Sequence, residues 1–459
     1  MDVPMSVDIS GHPLTRMFSR HPIYDNVFSR LSPRELIRMS SVNRVIHSGV
    51  QDFSLRAYNV NRRLSRFFSD SFAFRSLMAR THMVISGSFA LQLFDRTYYP
   101  DSDLDLYVHP DRSIAEVGLW LEKEGYTYLP REWQRQVYRD EAERILANID
   151  LPPEAVENDD EAGLLYNMRS VRAVYSFERS VAPNEILKVQ IVVSRLSPLA
   201  SILDFHSTCV MNVITYNAAY SLYPHATFAR REALIIHEDF HSTNSENALA
   251  KYSSRGWRML ARRSPLLEFI ATPGSPLYAP WWAIDQRRWV CDSRSWVIHF
   301  DTTGVTAPPP PSVSSPHPGW DPVAECGWKL ELQFSAIAVK HVPIKTTILR
   351  WRYTAPDEQY IRCIVPFFYN QGNLEHRKVP EGQSRDSVRD AWTWWDYMLP
   401  LLRLQYCNAF PDLGSDGLRA TEVQLLATTI HLFFSSEERP TLQMHRRAHR
   451  WILNLCHDS

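Results

Sequence analysis

The segment Met83–Val108 (MVISGSFALQLFDRTYYPDSDLDLYV) constrains this chain most. Met83–Ser86 reads as a short strand, Gly87-Ser88 interrupts it, Phe89–Phe94 reads as a short helix and Leu104–Val108 as a second strand. Alternate residues of a strand point to one face. Asp103 and Asp105 therefore share a face, while Leu104 and Leu106 turn toward a core. Two carboxylates placed in this way can share divalent metal ions. A polar turn entering an edge strand is the plainer alternative for Asp101, Ser102, Asp103 and Asp105.

The surrounding pattern alternates between strand and helix. Ser113–Glu124 predicts a helix ended by Gly125, and residues 150–162 an acidic loop. Val171–Phe177 and Ile186–Val193 predict two strands joined by a turn around Pro183-Asn184, and Phe205–Thr215 fits strand or helix. Upstream, His21 to Phe68 is helical in pattern. Ser32-Pro33-Arg34-Glu35 has the form of a capping box with Pro at N1. A further helix is expected over Ser54–Phe68. Beyond a Pro-rich loop at 306–322, strands are expected at Lys329–Val339, Thr346–Tyr353 and Tyr360–Phe367. Helices are expected near Ser387–Gln405, Thr421–Phe434 and Gln443–Leu455.

With 459 residues, 44% of them hydrophobic, the chain can fill a large core and two or three domains. Fifty basic residues against 51 acidic ones disfavour a general nucleic-acid binder. The balance is uneven, because residues 1–80 hold 12 Arg, no Lys and 6 acids. Six scattered cysteines without a C-x-x-C pair indicate neither a disulfide framework nor a zinc module. MDVPMSVDIS lacks the features of a signal peptide, and no apolar run approaches the ~18 residues of a membrane span. An intracellular protein of the cytoplasm or nucleus is expected.

Gly87-Ser88 opening a helix, followed by Asp103-Leu104-Asp105 on a flanked strand, resembles the nucleotidyltransferase superfamily related to DNA polymerase beta. The resemblance implies that Asp103 and Asp105 bind Mg²⁺ or Mn²⁺ and act as catalytic carboxylates. It implies that Gly87 and Ser88, with Lys188 and Gln190 on a later strand, meet a nucleoside triphosphate. An active member needs a third carboxylate on that later strand, and here Gln190 occupies the expected place. A neutral amide is a weaker ligand and cannot act as a base. The leading reading is a degenerate domain that binds a nucleotide. The alternative is an active metal-dependent transferase moving a nucleotidyl group from an NTP to a hydroxyl, with Asp204, Glu178 or Glu185 as a substitute carboxylate.

His21-Pro22, Val27-Phe28, Leu31-Ser32-Pro33, Leu36, Met39, Val42-Asn43-Arg44 and Ile46 resemble an F-box. That family implies docking of residues 21–50 to a Skp-type linker of a cullin ubiquitin ligase. A helical cap packed on the next domain is the alternative. Pro198-Leu199, Phe205 to Asn212, Tyr223-Pro224 and Lys251 to Trp257 resemble fungal proteins that join an F-box-like start to a nucleotidyltransferase-like domain. The expected fold class is α+β. Its parts are a tail (1–20), F-box-like helices (21–80), a nucleotidyltransferase-like mixed domain (81–270) and a C-terminal mixed strand and helix region (271–459).

Other residues have two readings each. Arg56, Arg62, Arg63 and Arg66 form either a phosphate-binding face or a solvated one. Lys251 and Arg255, at i and i+4, could contact phosphate or form surface ion pairs. His206 could serve metal or acid–base chemistry, and sits more simply in a core. Cys209 reads as a small buried hydrophobe. The tryptophans from Trp281 onward read as core rather than as a ligand groove.

Overall fold

A computed structural model describes residues 17–148, 170–183, 185–236, 243–261, 275, 279–307, 321–332, 337–344, 346–380 and 394–410. The first 16 residues, the acidic loop, most of the Pro-rich loop and the helices expected at Thr421–Phe434 and Gln443–Leu455 lie outside the described residues.

Helices α1 (His21–Phe28), α2 (Pro33–Ser40) and α3 (Arg44–Ala57) form the first unit. Their amphipathic faces meet in a small core of Tyr24, Phe28, Leu36, Ile46, Val50 and Phe53, separate from the main core. The α2 start follows its sequence: Ser32 N–H donates to Glu35 Oε2 at 2.6 Å, and Glu35 N–H donates to Ser32 Oγ at 3.3 Å. The single helix expected over Ser54–Phe68 is instead divided. α3 stops at Ala57, and Asn59 caps α4 (Val60–Leu64) by accepting from the Arg62 N–H at 3.0 Å. That exposed side-chain acceptor satisfies a first-turn amide of a new helix in place of continuing the old one. From Tyr58 onward, α4 and α5 (Ser71–Thr81) contribute to the main core.

The chain then builds β1 (Val84–Ser86), α6 (Gly87–Asp95), β2 (Leu104–Val108), α7 (Ser113–Lys123), β3 (Thr127–Leu129), α8 (Tyr138–Ala147), β4 (Val171–Ala182) and β5 (Glu185–Ser194). Next come α9 (Pro198–Leu203), β6 (Asn212–Ile214), β7 (Ala218–Ser221), β8 (Glu232–Leu234), α10 (Thr243–Ser254), β9 (Arg258–Leu260), β10 (Arg287–Trp289) and β11 (Trp296–His299). Eight strands form one mixed sheet in the order β11-β7-β6-β1-β2-β5-β4-β3. Its pairs are antiparallel except β2 with β5, which is parallel. The hairpin expected from 171 to 193 is β4 and β5. α6 is mostly apolar and buried from Ser88 to Phe94.

The C-terminal part supplies β12 (Gly327–Leu332), β13 (Ile337–Lys340), β14 (Val342–Ile344), β15 (Tyr353–Ala355), α11 (Glu358–His376) and α12 (Leu399–Ala409). Tyr360–Phe367, expected as a strand, is helical. Asp357 caps α11 by accepting from the Tyr360 N–H at 3.0 Å. Tyr360, Cys363, Ile364 and Phe368 are buried at helical spacing, which overrides the β-branched and aromatic composition. The strand expected at Thr346–Tyr353 is also absent over most of its length. The buried Asp396 carboxylate accepts from the Arg350 N–H at 2.8 Å and the Trp351 N–H at 3.1 Å, so these amides are not free for a ladder. Trp282 and Trp328 are fully buried, as the core reading of the tryptophans expects, and so is Trp257 upstream.

The architecture is α+β. One hydrophobic core runs from Tyr58 to Tyr406, and β11 joins the main sheet from within the C-terminal region. Among the described residues, no helix is long and apolar enough to cross a membrane. Because the small core is separate, Phe28→Ala, at a side chain 0% exposed, should cost the α1–α3 unit about 3–5 kcal/mol. Amide exchange should accelerate across residues 21–57 while β1, β2 and β5 keep their protection. Equal acceleration in the sheet would contradict two separate cores.

Candidate functional site

β1 delivers the chain to Gly87, where φ is +66°. A Cβ here would lie 2.5 Å from Asp105 Oδ2. Both the backbone angle and the closeness of the carboxylate therefore require glycine. The β1/β2 register sets Ser86 opposite Asp105, and the parallel β2/β5 register sets Gln190 beside Asp105. Because Leu104 pairs with Val189, Lys188 flanks Asp103 on the same face. Gly87, Asp103, Asp105, Lys188 and Gln190 thus gather on one patch of the sheet.

Ser88 is placed differently from its expected role. Its hydroxyl is hydrogen-bonded to the Ser102 hydroxyl and is buried. Gln92 Nε2 donates to Ser88 O and to Ser102 Oγ, each at 3.0 Å. The three side chains hold the start of α6 against the segment that leads into Asp103. Phosphate contact by the Ser88 hydroxyl would have to displace Ser102.

Burial pushes the Asp105 carboxyl up to about 7, and the neighbouring Asp103 charge adds to the shift. Asp105 keeps a partly exposed surface while its carboxyl lies among protein atoms. Burial also raises Asp103, against the opposing charges of Lys188 and Lys251. Lys251 belongs to α10, and its charge reaches both carboxylates. Just after α10, the Arg255 guanidinium stacks 3.7 Å from the Tyr99 ring, with its buried Nη1 unpartnered among the described residues. The site therefore has an acidic floor on β2 and a basic side from α10. The sequence suggested phosphate contact for Lys251 and Arg255, but no local signal placed Lys251 against Asp103 and Asp105.

None of the substitute carboxylates takes the place of Gln190 beside Asp105, although the Glu178 charge is felt at Asp103 and helps to raise it. Glu178 lies opposite Lys188 on β4 and pairs with its ammonium at 3.1 Å. It is two strands from β2, about 10 Å at ~4.8 Å per strand. Asp204 accepts from Ser170 Oγ at 2.9 Å, and Glu185 lies 3.9 Å from Arg66. Among the described residues, no group of three or more His, Cys, Asp or Glu side chains could hold a metal ion. Asp103 and Asp105 could still provide two ligands of a divalent ion, with phosphate and water as the others.

Burial lowers His206 to about 4, so it stays neutral near pH 7. Its Nδ1 has no hydrogen-bond partner among the described residues, and its ring lies 5.7 Å from Tyr252. Cys209 is buried and its thiol is pushed up to about 12, so it is a core side chain rather than a nucleophile.

The raised Asp105 carboxyl gives a signed pH prediction. The folded state holds this proton more tightly than the unfolded chain, whose carboxyl has the ordinary value of 3.8. The stabilisation is complete below that value and is lost as pH rises through about 7. In metal-free buffer, Asp105→Asn should therefore gain melting temperature relative to the native chain between pH 5.5 and pH 8. Melting curves that stay parallel across that range would contradict a buried, proton-retaining carboxyl.

No family model, curated protein or solved structure matches this chain.

Proposed function

We propose that the chain is an F-box-like adaptor. Residues 21–50 dock a Skp-type linker of a cullin ubiquitin ligase, and the nucleotidyltransferase-like domain holds a nucleotide without transferring it. The observation that carries the docking half is the separate core of α1–α3 combined with Ile37 and Val42, which stay 64% and 61% exposed. A helical cap would bury such side chains on the neighbouring domain. Exposed aliphatics on a helical unit with its own core suit insertion into a partner's groove. An adaptor of this kind works in the cytoplasm or nucleus.

Asp103 and Asp105, with Gly87 at close approach and Lys251 opposite, fit one Mg²⁺ or Mn²⁺ whose remaining ligands are phosphate oxygens. A bound ion would neutralise the phosphates and the two carboxylates together. Gly87 lets the Asp105 carboxylate lie against the start of α6, and Lys188 is already paired with Glu178. Transfer to a hydroxyl also needs a base. Gln190, beside Asp105, supplies no base, a loss that typically costs 10²–10⁴-fold in rate, roughly.

The docking half is tested by co-purifying the full chain with a Skp-type linker. The native chain should retain the linker, while Ile37→Asp with Val42→Asp should lose it and keep the native circular dichroism. Both positions are exposed, so the double variant tests contact rather than folding. Equal retention by the two chains, or retention by neither, would overturn the adaptor reading.

A further inference from the structure

The basic helical start converges on a cleft beside the segment that leads into Asp103. Arg56, Arg62, Arg63, Arg66 and Arg96 line a cavity of about 430 Å³ between the α1–α3 unit, α4 and the α6–β2 connection. That volume falls in the range of small-molecule sites, ~300–1,000 Å³. Phe53, Phe67, Phe89 and Tyr98 supply apolar wall, and Gln92 and Ser102 close one end.

The charges in this cleft are not neutralised equally. Arg56 is paired with Asp25 and Asp52, and Arg66 lies 3.9 Å from Glu185. Among the described residues, Arg62, Arg63 and Arg96 form no ion pair. Arg63 Nη1 donates to Thr97 O at 3.0 Å, and Arg96 donates to Phe28 O at 3.0 Å and to Leu31 O. Arg66 Nη2 donates to Pro100 O at 2.6 Å. Carbonyl oxygens fix a guanidinium in position and leave its charge in place. Each guanidinium carries five N–H donors, so several remain for a ligand. Arg66 Nε, Arg96 Nε and Thr97 Oγ1 are buried without a hydrogen-bond partner among the described residues. Burial and the neighbouring Arg62 charge lower the Arg63 guanidinium below its ordinary value, a strain that an anion would relieve.

We propose that this cleft binds a small polyphosphate anion, with Arg62, Arg63 and Arg96 as its cationic contacts. Planar guanidinium forks match phosphate oxygens in pairs. The concave, aromatic-walled shape fits a small ligand rather than a duplex, which would need an exposed basic stripe. The phosphates could belong to free polyphosphate or to a nucleoside polyphosphate. This site does not depend on the carboxylate floor, which needs a divalent ion to accept phosphate.

The test is calorimetric titration of the full chain in EDTA, at low salt, with tripolyphosphate, ATP and adenosine. EDTA removes the divalent ion through which the carboxylate site is proposed to hold phosphate, and the double Asn variant separates that site from the cleft. Saturable binding of tripolyphosphate or ATP, with adenosine silent, is expected. ATP binding more tightly identifies a nucleotide as the source, and equal binding identifies free polyphosphate; both support the proposal. Arg62→Glu, at an exposed position, should weaken binding at least about tenfold, as loss of a charge-assisted contact would. Asp103→Asn with Asp105→Asn should leave it unchanged. The proposal is overturned by absence of saturable binding, by equal binding to Arg62→Glu, or by loss of binding in the double Asn variant.

Discussion

The approach of the Asp105 carboxylate to Gly87 is the constraint on which the centre of the molecule depends. No side chain fits between the start of α6 and β2, so the helix lies directly over the strand. That contact buries a carboxyl beside a second one and makes both of them hard to ionise. The rest of the site compensates this charge. Lys188 comes from the parallel neighbour β5, and Lys251 from α10, far along the chain. The Ser88, Gln92 and Ser102 cluster then fixes the segment that carries Asp103.

The same connection joins the two cores. Arg96, immediately after α6, holds the carbonyls of Phe28 and Leu31 at the end of α1. Arg63 and Arg66, from α4, hold carbonyls at Thr97 and Pro100 in the α6–β2 connection. The near-neutral net charge conceals this division of labour. The excess arginine of the first 80 residues sits in part at the seam with the sheet domain, which carries the acidic excess. An anion bound at the seam would touch groups from both cores and strengthen their attachment.

Much of the sheet and its helices was legible from local apolar patterns. β1, α6, β2, α7 and the β4–β5 hairpin lie where their apolar patterns place them, because each pattern records a local choice of buried face. The capping box at Ser32 was legible for the same reason. The failures have a common cause in side chains that claim backbone amides. Asn59 divides a helix, Asp357 begins a helix in a strand-like run, and Asp396 takes amides that a strand would have used. Asp396 is distant in sequence from the amides it binds, so no window contains both. The site was legible as a face on β2, since i and i+2 define it. Its basic side was not, because Lys251 reaches the carboxylates only through the tertiary fold.

Gln190 lies beside Asp105, at the place a third metal-binding carboxylate would take, and the proposed nucleotide site without transfer depends on that replacement. Mn²⁺ titration in the presence of ATP, comparing the native chain with Gln190→Asp, tests it most directly. A third carboxylate beside Asp105 should tighten Mn²⁺ binding at least about tenfold, in line with the charge it adds to the ligand set. Unchanged or weaker Mn²⁺ binding in Gln190→Asp would contradict the claim, because position 190 would then not face the ion.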